Sequence, residues 1–127
     1  MATVSVRYIV DDVEGAIAFY VGLLNFRVVM HPAPTFAMLD RGDLRLLLSA
    51  PGSQGGGGQI LPGDRRPAPG GWNRFQLIVD DLAGEVERLR EAGVTTRSAI
   101  VHGIGGDQVI IDDPSGNPVE LFAPAST

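Results

Sequence analysis

The chain has 127 residues, of which 44% are hydrophobic and 20% are charged, so its length suits one ordinary domain with a buried core. Its formal net charge is −5, and every one of its ten cationic residues is arginine. This charge argues against nucleic-acid binding, which favours clustered Lys and Arg, and the absence of Lys excludes Schiff-base catalysis by a side-chain amine. The sequence has no cysteine and shows neither a membrane-spanning stretch nor a secretion signal, so we expect a cytoplasmic protein without disulfides or membrane partners.

The first half of the chain predicts one strand, one helix and three further strands. Val4–Val10 is rich in β-branched residues and ends at Asp11-Asp12. Next comes a helical pattern with Asp12 as the expected N-cap and Asn25 as the expected left-handed stop. Its apolar face is formed by Val13, Ile17, Tyr20 and Leu24. Three short extended runs follow, separated by prolines or by an Arg-Gly-Asp turn: Arg27–His31, Thr35–Asp40 and Leu44–Ser49.

The middle of the chain, Pro51–Gly71, is rich in Gly and Pro and includes the run Gly55–Gly58. Such a segment cannot form regular structure without a large entropic cost. Its glycines do not lie between a strand and a helix, as those of a phosphate-binding loop do. We therefore expect residues 51–71 to be a mobile linker or a flap over a binding site.

The second half repeats the order of the first. Phe75–Val79 ends at Asp80-Asp81, and a helix capped by Asp81 and ended by Gly93 comes after it. Its apolar face is formed by Leu82, Val86 and Leu89. The last three predicted strands, the final two joined by a turn at 113–117, are Thr95–His102, Gln108–Asp112 and Pro118–Phe122. This internal repeat of roughly 70 residues predicts two βαβββ modules, residues 1–50 and 72–127, in one α+β domain spanning 1–127.

Three parts of the sequence resemble a known family, and they are Tyr8–Val13 with Ala18–Tyr20, Leu77–Leu82 with Arg88–Gly93, and Asp112–Leu121. Together they resemble both modules of the vicinal oxygen chelate superfamily, which includes glyoxalases, bleomycin-resistance proteins and ring-cleaving dioxygenases. The resemblance covers nearly the whole chain and is most specific at 113–121. It implies an open, curled sheet of eight strands, the glyoxalase/bleomycin-resistance fold. In enzymatic members one side chain from each of four strands binds a divalent metal.

The resemblance places those four metal-ligand positions at Ser5, Leu47, Arg74 and Glu120. Relatives usually carry His at the first and third positions and often carry carboxylates at the other two, so only Glu120 matches. A divalent ion needs several His or carboxylate donors. Three of the four expected ligands are lost, and we predict no metal site and no cofactor, with a divalent metal kept as the alternative. His31 and His102 lie outside the four positions, and we interpret them as structural.

Strand alternation assigns further side chains to the face that carries these positions. The predicted ligand-binding residues are Ser5, Arg7, Arg45, Leu47, Trp72, Arg74, Gln76 and Phe122. Arg74 and Glu120 are expected to pair, because a buried unpaired charge is strongly unfavourable. Trp72 is either a stacking surface at the mouth of the cavity or a core residue. Arg7 and Arg45 are either solvated at strand ends or point inward, where they favour an anionic or carbonyl-bearing ligand.

Two functions follow from the resemblance, and fold alone does not decide between them. The first is metal-independent binding of a small molecule in a concave cavity, similar to family members that sequester antibiotics and related natural products. The ligand is then expected to be anionic and aromatic. The second is a metal-dependent or Glu-based lyase, isomerase or dioxygenase, in which Glu120 is the candidate catalytic base. The resemblance also implies a homodimer.

Overall fold

A computed structural model describes residues 4–52 and 55–125 of the chain. The chain divides into two compact units, the first ending at Gly70 and the second beginning at Gly71. Each unit contains one helix and one four-stranded mixed sheet, and neither sheet closes on itself. The predicted α+β class with two βαβββ modules is confirmed. Ser53 and Gln54 of the predicted flap lie outside the described residues.

The first unit has the element order strand, helix and three strands. The bounds are β1 (Val4–Ile9), α1 (Val13–Leu24), β2 (Arg27–Ala33), β3 (Phe36–Arg41) and β4 (Leu44–Ser49). The strand order is β1-β4-β3-β2, with β1 parallel to β4 and the other neighbours antiparallel. Strand β2 extends beyond its predicted end, through Pro32. A proline is tolerated there because β2 is the edge strand and one of its N–H rows needs no partner.

The core of the first unit lies between α1 and one face of its sheet, where Leu46 and Leu48 are fully buried. Tyr20, also fully buried, packs edge to face with Phe26 at 5.3 Å between ring centroids. The predicted helix stop is confirmed, since Asn25 adopts a left-handed φ of 62°. Asp12 occupies the N-cap position, but its side chain makes no capping hydrogen bond.

The second unit has the same element order as the first: one strand, one helix and three strands. The bounds are β5 (Gln76–Ile78), α2 (Leu82–Glu91), β6 (Val101–His102), β7 (Gly106–Asp112) and β8 (Pro118–Pro124). The strand order is β5-β8-β7-β6, with β5 parallel to β8. The predicted helix face is confirmed, because Leu82, Val86 and Leu89 are all buried. The predicted cap is confirmed as well, since the Asp81 carboxylate accepts a hydrogen bond from the Gly84 N–H at 3.1 Å.

The predicted strand over Thr95–His102 is wrong in its extent, because only Val101–His102 forms β6. Its first part still lies beside β7 through an isolated bridge between Thr96 and Ile111. The chain then bends over 97–99, and pairing resumes two residues later. The Arg97 N–H still donates to the Ile110 carbonyl of β7 at 2.8 Å, and the Arg97 side chain reaches Asp112 at the end of β7. No helix within the described ranges is long and apolar enough to cross a membrane.

Candidate functional site

The first unit presents a polar sheet surface on the side opposite α1, which we call the first-module face. It is formed by Ser5, Arg7, Ile9, Phe36, Met38, Asp40, Arg45, Leu47 and Ser49. Arg7 pairs in register with Leu47, and Ser5 with Arg45, across the parallel strands β1 and β4. Successive strand residues point to opposite sides, so these four predicted ligand-binding residues share one face. The alternation predicted from the sequence is confirmed for this unit.

The first-module face carries an excess of positive charge. Arg27, which sequence reasoning did not assign to the site, forms a bidentate pair with Asp40, with nitrogen–oxygen distances of 3.1 and 3.2 Å. Asp40 is also the register neighbour of Arg45. Among the described residues neither Arg7 nor Arg45 forms a salt bridge, so one carboxylate faces three guanidinium groups. Such a surface attracts anions more strongly than the chain's net charge of −5 indicates.

Residues Gly55–Gly58, which we call the glycine flap, fold back onto the first-module face. The hydroxyl of the fully buried Ser49 donates to the Gly56 carbonyl, and the Gly52 N–H donates to the Gly58 carbonyl at 2.7 Å. Gly57 has a left-handed φ of 88°, which favours glycine, and a Cβ at this position would require the Arg7 guanidinium to move. The segment predicted to be a linker or a flap therefore contacts the first-module face at Ser49 and Arg7.

The second unit presents an equivalent surface opposite α2, which we call the second-module face. It is formed by Arg74, Gln76, Ile78, Gln108, Ile110, Asp112, Pro118, Glu120 and Phe122. Gln76 and Ile110 flank Glu120 in register on neighbouring strands. The predicted ligand-binding residues Arg74, Gln76 and Phe122 thus lie on one face with Glu120.

The carboxylate of Glu120 is buried and has a partner on each oxygen. Arg74 approaches Oε1 through Nε at 3.0 Å and Nη2 at 2.9 Å. Gln76 donates from Nε2 to Oε2 at 2.6 Å. The predicted pairing of Arg74 with Glu120 is confirmed. A metal ion bound to these oxygens would compete with Arg74 and Gln76. Abstraction of a substrate proton by Glu120 would compete with the same two partners.

Arg97 anchors one end of the second-module face, and sequence reasoning missed it. Its guanidinium donates to Asp112 Oδ1 at 2.8 Å, to the Gly71 carbonyl at 2.8 Å and to the Gly116 carbonyl at 3.1 Å. Its central carbon also lies 4.6 Å from the centre of the Trp72 ring. The available signal was an arginine inside a predicted strand, but a strand position does not indicate contacts with Gly71 and Gly116, which lie 26 and 19 residues away in the chain.

Trp72 is a surface residue, so the interpretation of this residue as core is wrong. It is 67% exposed while its ring lies against the Arg97 guanidinium. Its backbone carbonyl accepts a hydrogen bond from Arg74 Nη1 at 3.1 Å. An aromatic ring that is fixed on one side and exposed elsewhere is suited to stacking on a planar ligand.

The residues at the four family metal positions do not form a metal-binding set. Ser5 and Leu47 lie on the first-module face, and Arg74 is paired to Glu120 on the second. Leu47 offers no donor atom and Arg74 is a cation, so neither can ligate a divalent ion. No group of three or more His, Cys, Asp or Glu side chains in the described ranges is arranged to hold a metal.

Both histidines lie next to carboxylates outside these positions. His31 Nε2 lies 3.3 Å from Glu14, and His102 Nδ1 lies 2.9 Å from Asp107. The His102 side chain is 77% exposed, so the interpretation of both histidines as structural stays a prediction.

Two repeated βαβββ units, each with a sheet face of mixed polar and apolar residues opposite its helix, give this protein a two-module α+β fold. The family model for the Glyoxalase/Bleomycin resistance protein/Dioxygenase superfamily matches residues 3–121, and the chain belongs to this family. No curated protein gives a significant sequence match.

Solved structures of the family superpose well on the chain. A member of the Glyoxalase/bleomycin resistance protein/dioxygenase superfamily from Sphaerobacter thermophilus is 26% identical, with a TM-score of 0.75 and 97% of both chains covered. Lactoylglutathione lyase from Agrobacterium tumefaciens is 24% identical, with a TM-score of 0.73 and 96% and 92% of the two chains covered. TnmS3, an antibiotic binding protein from Streptomyces sp. CB03234, is 24% identical, with a TM-score of 0.72 and 98% and 97% covered.

Proposed function

We propose that this protein binds a small, flat, partly apolar molecule that bears a carboxylate, phenolate or carbonyl group, and that it does so without a metal. The observation that carries the proposal is the environment of Glu120. This residue matches a metal-ligand position of the family, yet its two oxygens accept hydrogen bonds from Arg74 and Gln76. Metal binding there would leave a guanidinium uncompensated, which is energetically unfavourable.

The ligand chemistry is inferred from the charges and the exposed ring of the two faces. Arg7 and Arg45 supply guanidinium groups without a salt-bridge partner among the described residues, and such groups bind planar anions through paired N–H donors. Trp72 supplies an exposed aromatic surface. The guanidinium groups of the first unit favour an acid, and the exposed ring of the second unit, taken by itself, favours a planar aromatic group. The glycine flap lies beside Arg7.

The alternative is an enzyme of the same superfamily, either metal-dependent or using Glu120 as a general base. The fold is shared with both a lactoylglutathione lyase and an antibiotic binding protein, so the fold supports each function equally. The site favours binding, because both Glu120 oxygens are already engaged.

The proposal is tested by measuring binding of two probes with the same ring and opposite charge. Isothermal titration of 2-naphthoate and 2-naphthylmethylammonium, with anthraquinone-2-carboxylate as a larger acid, should show tighter binding of the acids. Arg7→Ala and Arg45→Ala should each weaken binding of the best acid by about 1–3 kcal/mol. The matched control is Arg88→Ala, whose side chain lies on α2 and pairs with Glu85 at 2.5 Å.

Equal binding of the acid and the amine would contradict the proposed ligand class. If neither Arg7→Ala nor Arg45→Ala changes the affinity for the acid, the first-module face does not contact the ligand. A requirement for added divalent metal would favour the enzyme alternative instead.

A further inference from the structure

The backbone of Gly57 lies on the flat face of the Arg7 guanidinium, and both residues belong to the first unit. A Cβ on Gly57 would be 2.2 Å from Arg7 Cζ, 2.3 Å from Nε and 2.4 Å from Nη1, and Nη2 is farther away than these three atoms. A point beyond the N–H edge of a planar guanidinium is closer to the two nitrogens of that edge than to Cζ. Here Cζ is the nearest atom, so Gly57 covers a face of the group and leaves the Nη2 side open.

The glycine flap is anchored to the first-module face independently of its contact with the guanidinium. The Ser49 hydroxyl donates to the Gly56 carbonyl. A Cβ on Gly56 would lie 2.8 Å from the Cβ of Phe36, so the backbone of Gly56 also packs against that side chain. Gly58, on the other side of Gly57, is buried. The flap therefore presents a fixed backbone surface at Gly57.

Among the described residues of the first-module face, Arg7 is the arginine that has no carboxylate as a salt-bridge partner or register neighbour. Its register neighbour on β4 is Leu47. Asp40 pairs with Arg27 and is the register neighbour of Arg45. Arg7 is exposed and makes no hydrogen bond or salt bridge within residues 4–52 and 55–125. Its open N–H edge is therefore accessible to a ligand that reaches this face.

A guanidinium whose plane is fixed discriminates between anions by their shape. The two oxygens of a carboxylate accept two parallel N–H bonds from one edge, and both such edges that carry Nη2 suit this arrangement, whereas the single oxygen of a phenolate or carbonyl does not. An arginine that is already ordered also loses less rotamer entropy when it binds. We propose that Gly57 is a positioning residue, which holds the Arg7 guanidinium with its Nη2 side open, and that this guanidinium selects a carboxylate. The inference rests on the proposed function and narrows it, because the acidic group of the ligand is then a carboxylate and not a phenolate or a carbonyl.

The test compares two anions with the same substituted ring, 4-nitrobenzoate and 4-nitrophenolate, in mildly alkaline buffer in which both are ionised. Calorimetry should show that the wild-type protein binds the benzoate about tenfold more tightly, which corresponds to one additional hydrogen bond. Arg7→Lys should still bind anions but lose this preference, because an ammonium group has no planar fork. Gly57→Ala should lose the preference as well, because the added Cβ separates the flap from the guanidinium whichever of the two moves.

Gly63→Ala is the matched control, since Gly63 also has a left-handed φ but nothing lies within 4 Å of a Cβ there, and it should keep the preference. Ser49→Ala releases the flap without touching Arg7, so it should reduce the preference even if Gly57→Ala is too unstable to measure. In the ligand-free protein, nitrogen relaxation of the Arg7 Nε–H group should show an ordered side chain. This group should become mobile in Gly57→Ala and stay ordered in Gly63→Ala.

The outcomes separate this inference from the proposed function. Equal binding of the two anions by the wild-type protein, or a preference that survives in Gly57→Ala, overturns the inference alone and leaves acid binding intact. An Arg7 Nε–H group that is already mobile in the ligand-free wild-type protein also overturns the positioning role. Absence of binding by both anions and by 2-naphthoate overturns the proposed function and the selection of a carboxylate together.

Discussion

The central carbon of the Arg97 guanidinium lies 4.6 Å from the centre of the Trp72 ring. The same guanidinium joins three separate chain segments, through Asp112 and the carbonyls of Gly71 and Gly116. One side chain therefore both stabilises the second unit and holds the aromatic ring proposed to stack on the ligand. The two roles can be measured separately.

Replacing Arg97 by Gln should lower the free energy of unfolding by about 2–3 kcal/mol, because charged hydrogen bonds to Asp112 and to two carbonyls are lost. The emission of Trp72 should shift to longer wavelength as its ring loses its cationic neighbour. Chemical denaturation and fluorescence spectra measure the two effects. Arg88→Gln on α2 is the control and should change stability by less than about 0.5 kcal/mol. Equal losses in the two variants would contradict the anchoring role of Arg97.

Arg74→Leu should destabilise the protein by about 3 kcal/mol, because it leaves the buried Glu120 carboxylate with only Gln76 as a partner. The double variant with Glu120→Leu should lose much less than the sum of the two single variants. A double-mutant cycle by denaturant unfolding gives the coupling energy.

The chain offers a matched control in Arg27 and Asp40, which form the same kind of ion pair with the arginine side chain 81% exposed. Their coupling energy should stay below about 1 kcal/mol. Additive losses for Arg74 and Glu120 would show that proximity in the fold gives them no energetic coupling.

The fold was predictable because its signals are local and repeated. Apolar spacing defined both helices, and alternation placed Arg7 and Leu47 on corresponding faces of their strands, which the register confirms. The pairing of Arg74 with Glu120 followed from two things: the family resemblance placed both residues at metal-ligand positions, and neither ion tolerates burial without a partner.

The remaining features depend on contacts between distant parts of the chain. Arg97 contacts Gly71 and Gly116 across 26 and 19 residues of chain, and the strand predicted over Thr95–His102 did not indicate these contacts. The contact of the glycine flap with Ser49 also depends on tertiary structure. A run of glycines has no side-chain pattern that would predict which surface it contacts.

The protein is expected to be a homodimer in solution, as the family resemblance implies. Val28, Val29 and Met30 lie on the edge strand β2, and each is nearly half exposed. Exposed apolar residues on a sheet edge are typical of surfaces that a partner covers. Light scattering at micromolar concentration should give twice the mass of one chain, and the mass of a single chain would contradict the prediction.

Protein purified without added metal should contain well under one equivalent of zinc, iron, nickel or manganese. The reason is that Ser5, Leu47 and Arg74 stand at three of the four ligand positions that the family resemblance assigns. Elemental analysis tests this directly. Stoichiometric metal that a chelator removes with loss of thermal stability would show that other residues bind it.

Gly57→Ala should release the glycine flap from the first-module face, and Gly63→Ala is its matched control. Both residues have left-handed φ values, 88° and 83°, so each alanine carries a similar backbone cost of about 1–2 kcal/mol. A Cβ at position 57 would additionally meet the Arg7 guanidinium, whereas nothing lies within 4 Å of one at position 63. Gly57→Ala should therefore be the less stable of the two glycine variants. Trypsin should also cut it faster after the exposed Arg65. Adding Arg7→Ala to both variants should remove the difference in stability between them. Identical stability and identical cleavage rates for the two glycine variants would mean that the flap does not rest on Arg7.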